Sequence, residues 1–331
     1  MMIRRRLGPD GPRLNAIGLG CMGMSFAYGP SMEEDDAIAL LHAAIDRGVD
    51  HFDTAELYGA GHNEKLLGAA FHDRRDSVFI ATKFGPVLDP ETGMPSGRVD
   101  GSEQNARRAL EQSLRHLRTD HVDLWYLHRR DRSRPIEEIV GVMLRMVEEG
   151  KVKAIGLSEV TADTLRKAAA VHPVAAVQSE YSIFTRFVED EVLPACEELG
   201  TTLVAYSPLG RGMLTGSFSR DWKPEGWDFR ATAAPRFRDD AMDNNLALVA
   251  EIERVAEDAG CAPAQVAVAW VLARSESVVT IPGTTKVKNL DSNLAAAGVQ
   301  LGGDQTARLD ALAERVKGDR YSEAGMAAVN G

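Results

Sequence analysis

A chain of 331 residues with 44% hydrophobic and 26% charged side chains has the composition of a globular protein and is long enough for one large core. A net charge of −11 argues against a nucleic-acid partner, because neutralising phosphates requires a basic face. The basic start, Met1 to Pro12, is not followed by an apolar stretch, and no run of 18 apolar residues occurs. The three cysteines, Cys21, Cys196 and Cys261, are far apart. These features predict a cytoplasmic protein with reduced thiols and no membrane span, disulfide framework or metal site.

Eight short apolar runs follow one another along the chain, at 16–19, 51–53, 78–83, 122–128, 153–157, 175–179, 202–206 and 278–281. Each has the brevity and buried character of a parallel strand. The first leads into Gly18-Leu19-Gly20-Cys21-Met22-Gly23, which fits the GxGxxG pattern of dinucleotide-binding folds. There the glycines open a helix, whose N-terminus takes the pyrophosphate. Here the next helix is predicted to start only at Ser31, so the glycines are read as a strand end that another backbone approaches closely.

Helical patterns fill the intervals. Residues 31–47 begin with a capping box, Ser31 with Glu34, then place Ala37, Leu41, Ala44 and Ile45 on one face and stop at Gly48. Residues 102–117 align Ala106, Leu110, Leu114 and Leu117. Residues 243–259 align Leu246, Val249, Ile252 and Val255 and end at Gly260. Strand and helix alternating eight times predicts an α/β fold, a closed parallel (β/α)8 TIM barrel spanning 1–331 as one domain; the alternative is a doubly wound open sheet.

Two pieces fall outside the repeat. A long loop, 207–240, follows strand seven and is too long for an ordinary βα connection. Its Trp222, Trp227, Phe229 and Phe237 either line a pocket or anchor the loop. The tail after about Gly302 holds one extra C-terminal helix and then a loose end.

In such a barrel, function sits where strands end. Strand two ends at Asp53, with Tyr58 five residues later; strand three ends at Lys83; strand four ends at His128. Each alone has a structural explanation as a turn, ion-pair partner or packing residue. Together they suit carbonyl reduction. A hydride acceptor needs a proton donor at its developing alkoxide, and tyrosine, with an ordinary pKa of about 10, is a poor acid unless its phenolate is stabilised. The Lys83 ammonium is expected to lower that pKa while Asp53 holds the lysine, and His128 can orient the substrate oxygen.

These residues lie in segments that resemble the aldo-keto reductase superfamily. The segments are Ile17-Gly-Leu-Gly20, Gly48-Val-Asp-His-Phe-Asp-Thr-Ala55 with Tyr58-Gly59, Ala81-Thr-Lys-Phe84, Asp123-Leu-Trp-Tyr-Leu-His128, Gly156-Leu-Ser158, Val177-Gln-Ser-Glu-Tyr181, Tyr206-Ser-Pro-Leu-Gly210 and Ile281-Pro-Gly283 through Asn293. Gly156-Leu-Ser-Glu159 and Arg211-Gly-Met-Leu-Thr215 resemble the microbial and plant branch that includes pyridoxal- and perakine-reductase-like enzymes.

The resemblance implies NADP(H) extended across the C-terminal mouth of the barrel, a small-molecule carbonyl substrate, and Asp53, Tyr58, Lys83 and His128 as the catalytic tetrad. It implies Tyr206 stacking on the nicotinamide and Ser158 and Gln178 holding its carboxamide. Gly20, Cys21 and Met22 would lie near the nicotinamide. Ser207, Leu209, Arg211 and Gly212 would lie along the pyrophosphate. Gly283, Thr284, Thr285, Lys286 and Asn293 would lie toward the adenosine end. Two positions depart from the pattern: Glu159 replaces a frequent Asn, and Asn289 replaces a frequent Arg, which leaves Lys286 and Lys288 as the nearby cations. A second reading is a nucleotide-sensing regulatory subunit of a larger complex, because such subunits can retain the same four residues.

Overall fold

The eight apolar runs become parallel strands: β1 (Leu19–Gly20), β2 (His51–Asp53), β3 (Phe79–Phe84), β4 (Val122–Leu127), β5 (Val152–Ser158), β6 (Ala176–Glu180), β7 (Thr202–Tyr206) and β8 (Val278–Thr280). The computed structural model describes residues 2–223 and 228–329. Each strand pairs with its neighbours in chain order. Parallel bridges Ile17–Thr280 and Gly20–Gly283 then join the first run to the last. Gly18 N donates to Thr280 O and Thr280 N to Ala16 O, both at 2.8 Å. The sheet is therefore closed, a (β/α)8 barrel, which removes the open-sheet alternative. Two glycines of the motif admit the strands on either side of the first run. A Cβ on Gly18 would lie 2.8 Å from His51 O, and one on Gly20 would lie 2.6 Å from Ile281 O.

Helices α1 (Glu34–Asp46), α2 (His62–Phe71), α3 (Glu103–Leu117), α4 (Ile136–Glu148), α5 (Ala162–Ala169) and α6 (Val192–Leu199) follow the first six strands. The long loop after β7 contains a short helix, α7 (Phe229–Ala233), and leads into α8 (Asp239–Asp258) and α9 (Pro263–Leu272). After β8 come α10 (Val287–Ala295), α11 (Gly303–Asp310) and α12 (Glu323–Ala327). Helix α8 starts four residues before the predicted 243. Among the described residues no helix is long and apolar enough to cross a membrane.

The predicted capping box is not formed. Helix α1 is preceded by Glu33 without a side-chain cap. Ser31 Oγ instead donates to Ser25 O at 3.3 Å, inside a loop closed by Met32 N on Met24 O. The acidic first turn of Glu34, Asp35 and Asp36 complements the helix N-terminus in its place. Ser102 does cap α3, accepting from Asn105 N.

Two hairpins were not foreseen. Arg4–Arg6 pairs with Arg13–Asn15, and Pro86–Leu88 pairs with Pro95–Val99. The first seals the N-terminal end of the barrel. Buried Arg5 donates to Leu272 O at 2.7 Å and to Val278 O, and Gly8 N donates to Thr202 Oγ1 at 2.8 Å. An arginine-rich, three-residue strand carries no apolar signal for sequence reasoning to use.

Strand alternation divides the core in two. Outward residues such as Phe52, Trp125, Leu127, Ile155, Leu157 and Val177 pack under the helices. Inward residues fill the barrel: Phe79, Ala81, Leu124, Tyr126, Ala176, Val204 and Val279 with Leu7 and Leu14 from below. The barrel is tight enough that a Cβ on Gly156 would lie 2.5 Å from the Tyr126 ring and 3.0 Å from Ala176 O. Gly156→Ala is expected to cost about 1–3 kcal/mol by overpacking. A urea unfolding midpoint unchanged from wild type would show that the ring can yield at no cost.

Candidate active site

Following the inward positions upward along each strand leads from apolar to polar side chains. On β3, Phe79 and Ala81 are followed by Lys83. On β4, Leu124 and Tyr126 are followed by His128, one residue past the strand. On β6, Ala176 is followed by Gln178 and Glu180, and on β7, Val204 is followed by Tyr206. A period of two thus delivers a polar layer to the C-terminal mouth from strands whose lower half is apolar.

The structure brings Asp53, Tyr58, Lys83 and His128 together there. Lys83, 1% exposed, donates from Nζ to Asp53 Oδ1, to Thr54 O at 2.8 Å and to Tyr58 Oη at 3.2 Å. The same ammonium lies 4.9 Å from the Tyr58 ring centre. The Tyr58 and His128 rings meet edge-on at 5.9 Å. Burial alone would lower the Lys83 ammonium, but Asp53 and Tyr58 carry it above its ordinary value, so it stays charged.

Tyr58 differs from the sequence expectation. Burial pushes its phenol above the ordinary value; Lys83 and Arg129 pull it back only in part, while Asp53 adds to the rise. A buried ring whose one neighbouring lysine is already paired with a carboxylate does not become a free phenolate; it remains a protonated donor. Burial, then Arg129 and Lys83, hold His128 well below its ordinary value, as a neutral ring.

The positions expected around a cofactor divide into groups. Gly20 is locked in the barrel closure with Gly283, which sets the β1 and β8 loops side by side. Cys21 is fully buried, its thiol pushed up by burial and by Asp53, and Met22 opens the short turn Met22–Met24. Ser158 is 1% exposed and accepts from Arg129 Nη1 at 3.3 Å. Gln178 donates from Nε2 to Asp53 Oδ2 at 2.7 Å, so it is tied to the carboxylate that holds Lys83. Tyr206 donates to Glu159 Oε1 at 2.7 Å, with the Tyr321 hydroxyl also at 2.7 Å.

The loop after β7 turns sharply. Ser207, Gly210, Arg211 and Gly212 all have positive φ, around Leu209. Arg211 donates to Glu180 Oε2 at 2.8 Å and lies between the rings of Phe229 and Tyr321, 4.6 and 4.4 Å from their centres. Thr284 Oγ1 accepts from Lys286 N at 3.0 Å, just before α10. Thr285 and Lys286 are exposed, and Asn293 is buried within α10.

Of the loop aromatics, Trp222 and Phe237 pack on Phe218. The Arg230 guanidinium lies 4.8 to 5.9 Å from the centres of these three rings. They anchor the loop to the barrel core. Phe229 meets Tyr321 edge-on. Trp227 lies outside the described residues.

Sequence reasoning missed the C-terminal contribution. The tail read as a loose end instead places Arg320 and Tyr321 at the mouth. Arg320 makes a two-pronged pair with Glu159, Nη1 to Oε1 at 2.8 Å and Nη2 to Oε2 at 2.6 Å. A signal was available: a carboxylate at 159, where an amide is frequent, demands a cation once buried. Nothing local to residue 159 identifies which cation. Arg129 was also missed; it is half-buried beside His128 and donates to its backbone oxygen at 2.7 Å.

The model of the aldo/keto reductase family matches residues 16–314. The chain belongs to that family. It is 44% identical over 297 residues to a probable aldo-keto reductase from Glycine max, covering 89% of this chain and 84% of the relative. Among solved structures, a glycerol dehydrogenase from Gluconobacter oxydans superposes with a TM-score of 0.85 at 30% identity, covering 95% of this chain and 96% of the other. An aldo/keto reductase from Klebsiella pneumoniae, solved with NADP and acetate, gives a TM-score of 0.74 at 27% identity, covering 96% and 98%.

The pairing at Glu159 has a consequence in acid. Burial would raise this carboxyl, but Arg320, Arg129 and the Glu180 amide hold it below its ordinary 4.5. A carboxylate depressed in the folded state contributes stability that is present above its ordinary value and lost as pH falls through the folded one. Below pH 4.5, Glu159→Gln is therefore expected to show a shallower loss of stability than wild type. Identical slopes in urea titrations between pH 5 and 3 would contradict this.

Proposed function

We propose that the protein reduces aldehyde or ketone carbonyls with NADPH, and oxidises the corresponding alcohols in reverse. The observation that carries this reading is the Lys83 ammonium shared between Asp53 and Tyr58 at the mouth of the barrel. The family, and the NADP held by the Klebsiella pneumoniae relative, support it.

The chain's residues fit such a cofactor. The inward Tyr206 ring would support the nicotinamide, with Ser158 beside it. The positive-φ turn from Ser207 to Gly212 presents backbone where glycines allow close approach to a pyrophosphate. Lys286 is exposed before α10 and makes no ion pair among the described residues, so its ammonium is available to a 2′-phosphate. When bound, NADPH supplies the hydride.

Tyr58 then donates its hydroxyl proton to the carbonyl oxygen as that oxygen gains charge. Lys83 already donates to Tyr58 Oη and stabilises the phenolate left behind; Asp53 keeps Lys83 in place and charged. His128, neutral, donates a hydrogen bond that aims the carbonyl oxygen at Tyr58. Reversing these steps gives alcohol oxidation, with Tyr58 as the base.

Tyr58→Phe should lower turnover by about 10²–10⁴-fold while NADPH affinity stays near wild type. Turnover on an aldehyde panel within a factor of two of wild type would rule out Tyr58 as donor. Lys286→Ala should weaken NADPH about tenfold with little effect on NADH. Equal weakening in fluorescence titrations would mean that Lys286 does not read the 2′-phosphate.

A further inference from the structure

Glu159 occupies a place where the family pattern often has an amide that can hold the nicotinamide carboxamide. In this chain its carboxylate is committed elsewhere. Oε1 accepts from Arg320 Nη1 at 2.8 Å, from Tyr206 Oη at 2.7 Å and from Glu180 N at 3.0 Å; Oε2 accepts from Arg320 Nη2 at 2.6 Å. Glu159 and Arg320 are 2% and 4% exposed. Glu159 also adopts a φ of +55°, a conformation a non-glycine residue holds only when its surroundings impose it.

Arg320 and its neighbour Tyr321 come from the segment after α11, far beyond the last barrel strand. That segment is stitched down along its length. Lys317 exchanges hydrogen bonds with Asn245 on α8, at 2.9 and 3.0 Å. Ser322 N donates to Ala233 O at 3.0 Å, and Arg132 donates to Val329 O at 3.2 Å. The Arg320 guanidinium lies 4.3 Å from the Phe187 ring centre. Tyr321 adds the 2.7 Å contact to the Tyr206 hydroxyl and covers Arg211.

The Tyr206 hydroxyl is thus held from two sides, by Glu159 and by Tyr321. We propose that Glu159, Arg320 and Tyr321 are positioning residues for the cofactor: their contacts latch the C-terminal segment across the barrel mouth and fix the Tyr206 ring as the platform for the nicotinamide. Glu159 acts through Tyr206 and not by holding the carboxamide itself. The proposal rests on the reading of Tyr206 as the stacking residue. Cofactor affinity then depends on a segment outside the barrel, and loosening that segment loosens the nicotinamide end first.

The test uses full-length protein, NADPH fluorescence titration, and steady-state reduction of benzaldehyde. Tyr321→Phe removes a single hydroxyl. Glu159→Gln with Arg320→Gln removes the charge pair without stranding either charge, and Arg320→Lys keeps the charge but not the two-pronged geometry. NADPH affinity is expected to fall at least fivefold in Tyr321→Phe and further in the double variant, with Arg320→Lys between wild type and the double variant. The change should appear in KM for NADPH more than in kcat. If the double variant does not fold, Tyr321→Phe decides. Lowered thermal midpoints with NADPH affinity within twofold of wild type would reduce the latch to a structural brace and overturn the proposal. Absence of NADPH binding by the wild-type protein would overturn this proposal and the functional reading together.

Discussion

Lys83 is charged and 1% exposed, and a buried ammonium persists only where a carboxylate and hydrogen-bond acceptors replace its water. Asp53, the Thr54 carbonyl and Tyr58 supply that replacement from the end of β2 and the loop beyond it. Asp53 is held in turn by Gln178, which reaches it from β6. The charge therefore ties together three strands that are not all neighbours. It also fixes the inward phase of each: a slip of one residue in β3 would turn Lys83 into the helix layer and Phe84 into the lumen. The same constraint that makes the mouth chemically capable makes the upper barrel unique in register.

Much of this arrangement was legible in the sequence because its determinants are local. Asp53, Lys83 and His128 sit at the ends of apolar runs, and strand alternation carries them to one place once the barrel closes. Gly18 and Gly20 betray a close backbone approach by their type alone. The hairpin at Arg4–Arg6 and Arg13–Asn15 was not legible, because its stability comes from Arg5 reaching carbonyls of α9 and β8. The cap at Ser31 failed for a related reason: Ser25 and Met24 claim the loop before the helix can use it. Gln178 was placed beside the carboxamide by resemblance, and only the three-dimensional structure reveals its bond to Asp53. Arg320 was invisible since its meaning depends wholly on Glu159, which local patterns do not connect to it.

The mouth concentrates buried charge of both signs. Overall the protein is at −11. At the C-terminal ends of the strands, the carboxylates of Asp53, Glu159 and Glu180 face the cations Lys83, Arg129, Arg211, Arg236 and Arg320. Burial holds Arg236 below its ordinary value, and Arg211 and Arg320 lower it further although Glu180 opposes them. Paired in this way, the cations are held in fixed positions around one opening.

The closure between Ile17 and Thr280 bears on how the chain acquires its shape. The strands that carry Asp53 and Lys83 leave the ribosome early, whereas the strand that shuts the cylinder arrives after most of the polypeptide. Until β8 docks, the edges at Ala16–Gly18 and Ala205 have open hydrogen-bonding groups. A contact joining such distant points pays its loop-closure entropy late, which favours slow, cooperative folding over stepwise growth. Nascent chains of this protein therefore spend their longest vulnerable interval with the outer edge of the first strand unpaired, and helpers that shield an exposed strand edge would act on that interval rather than on the finished barrel.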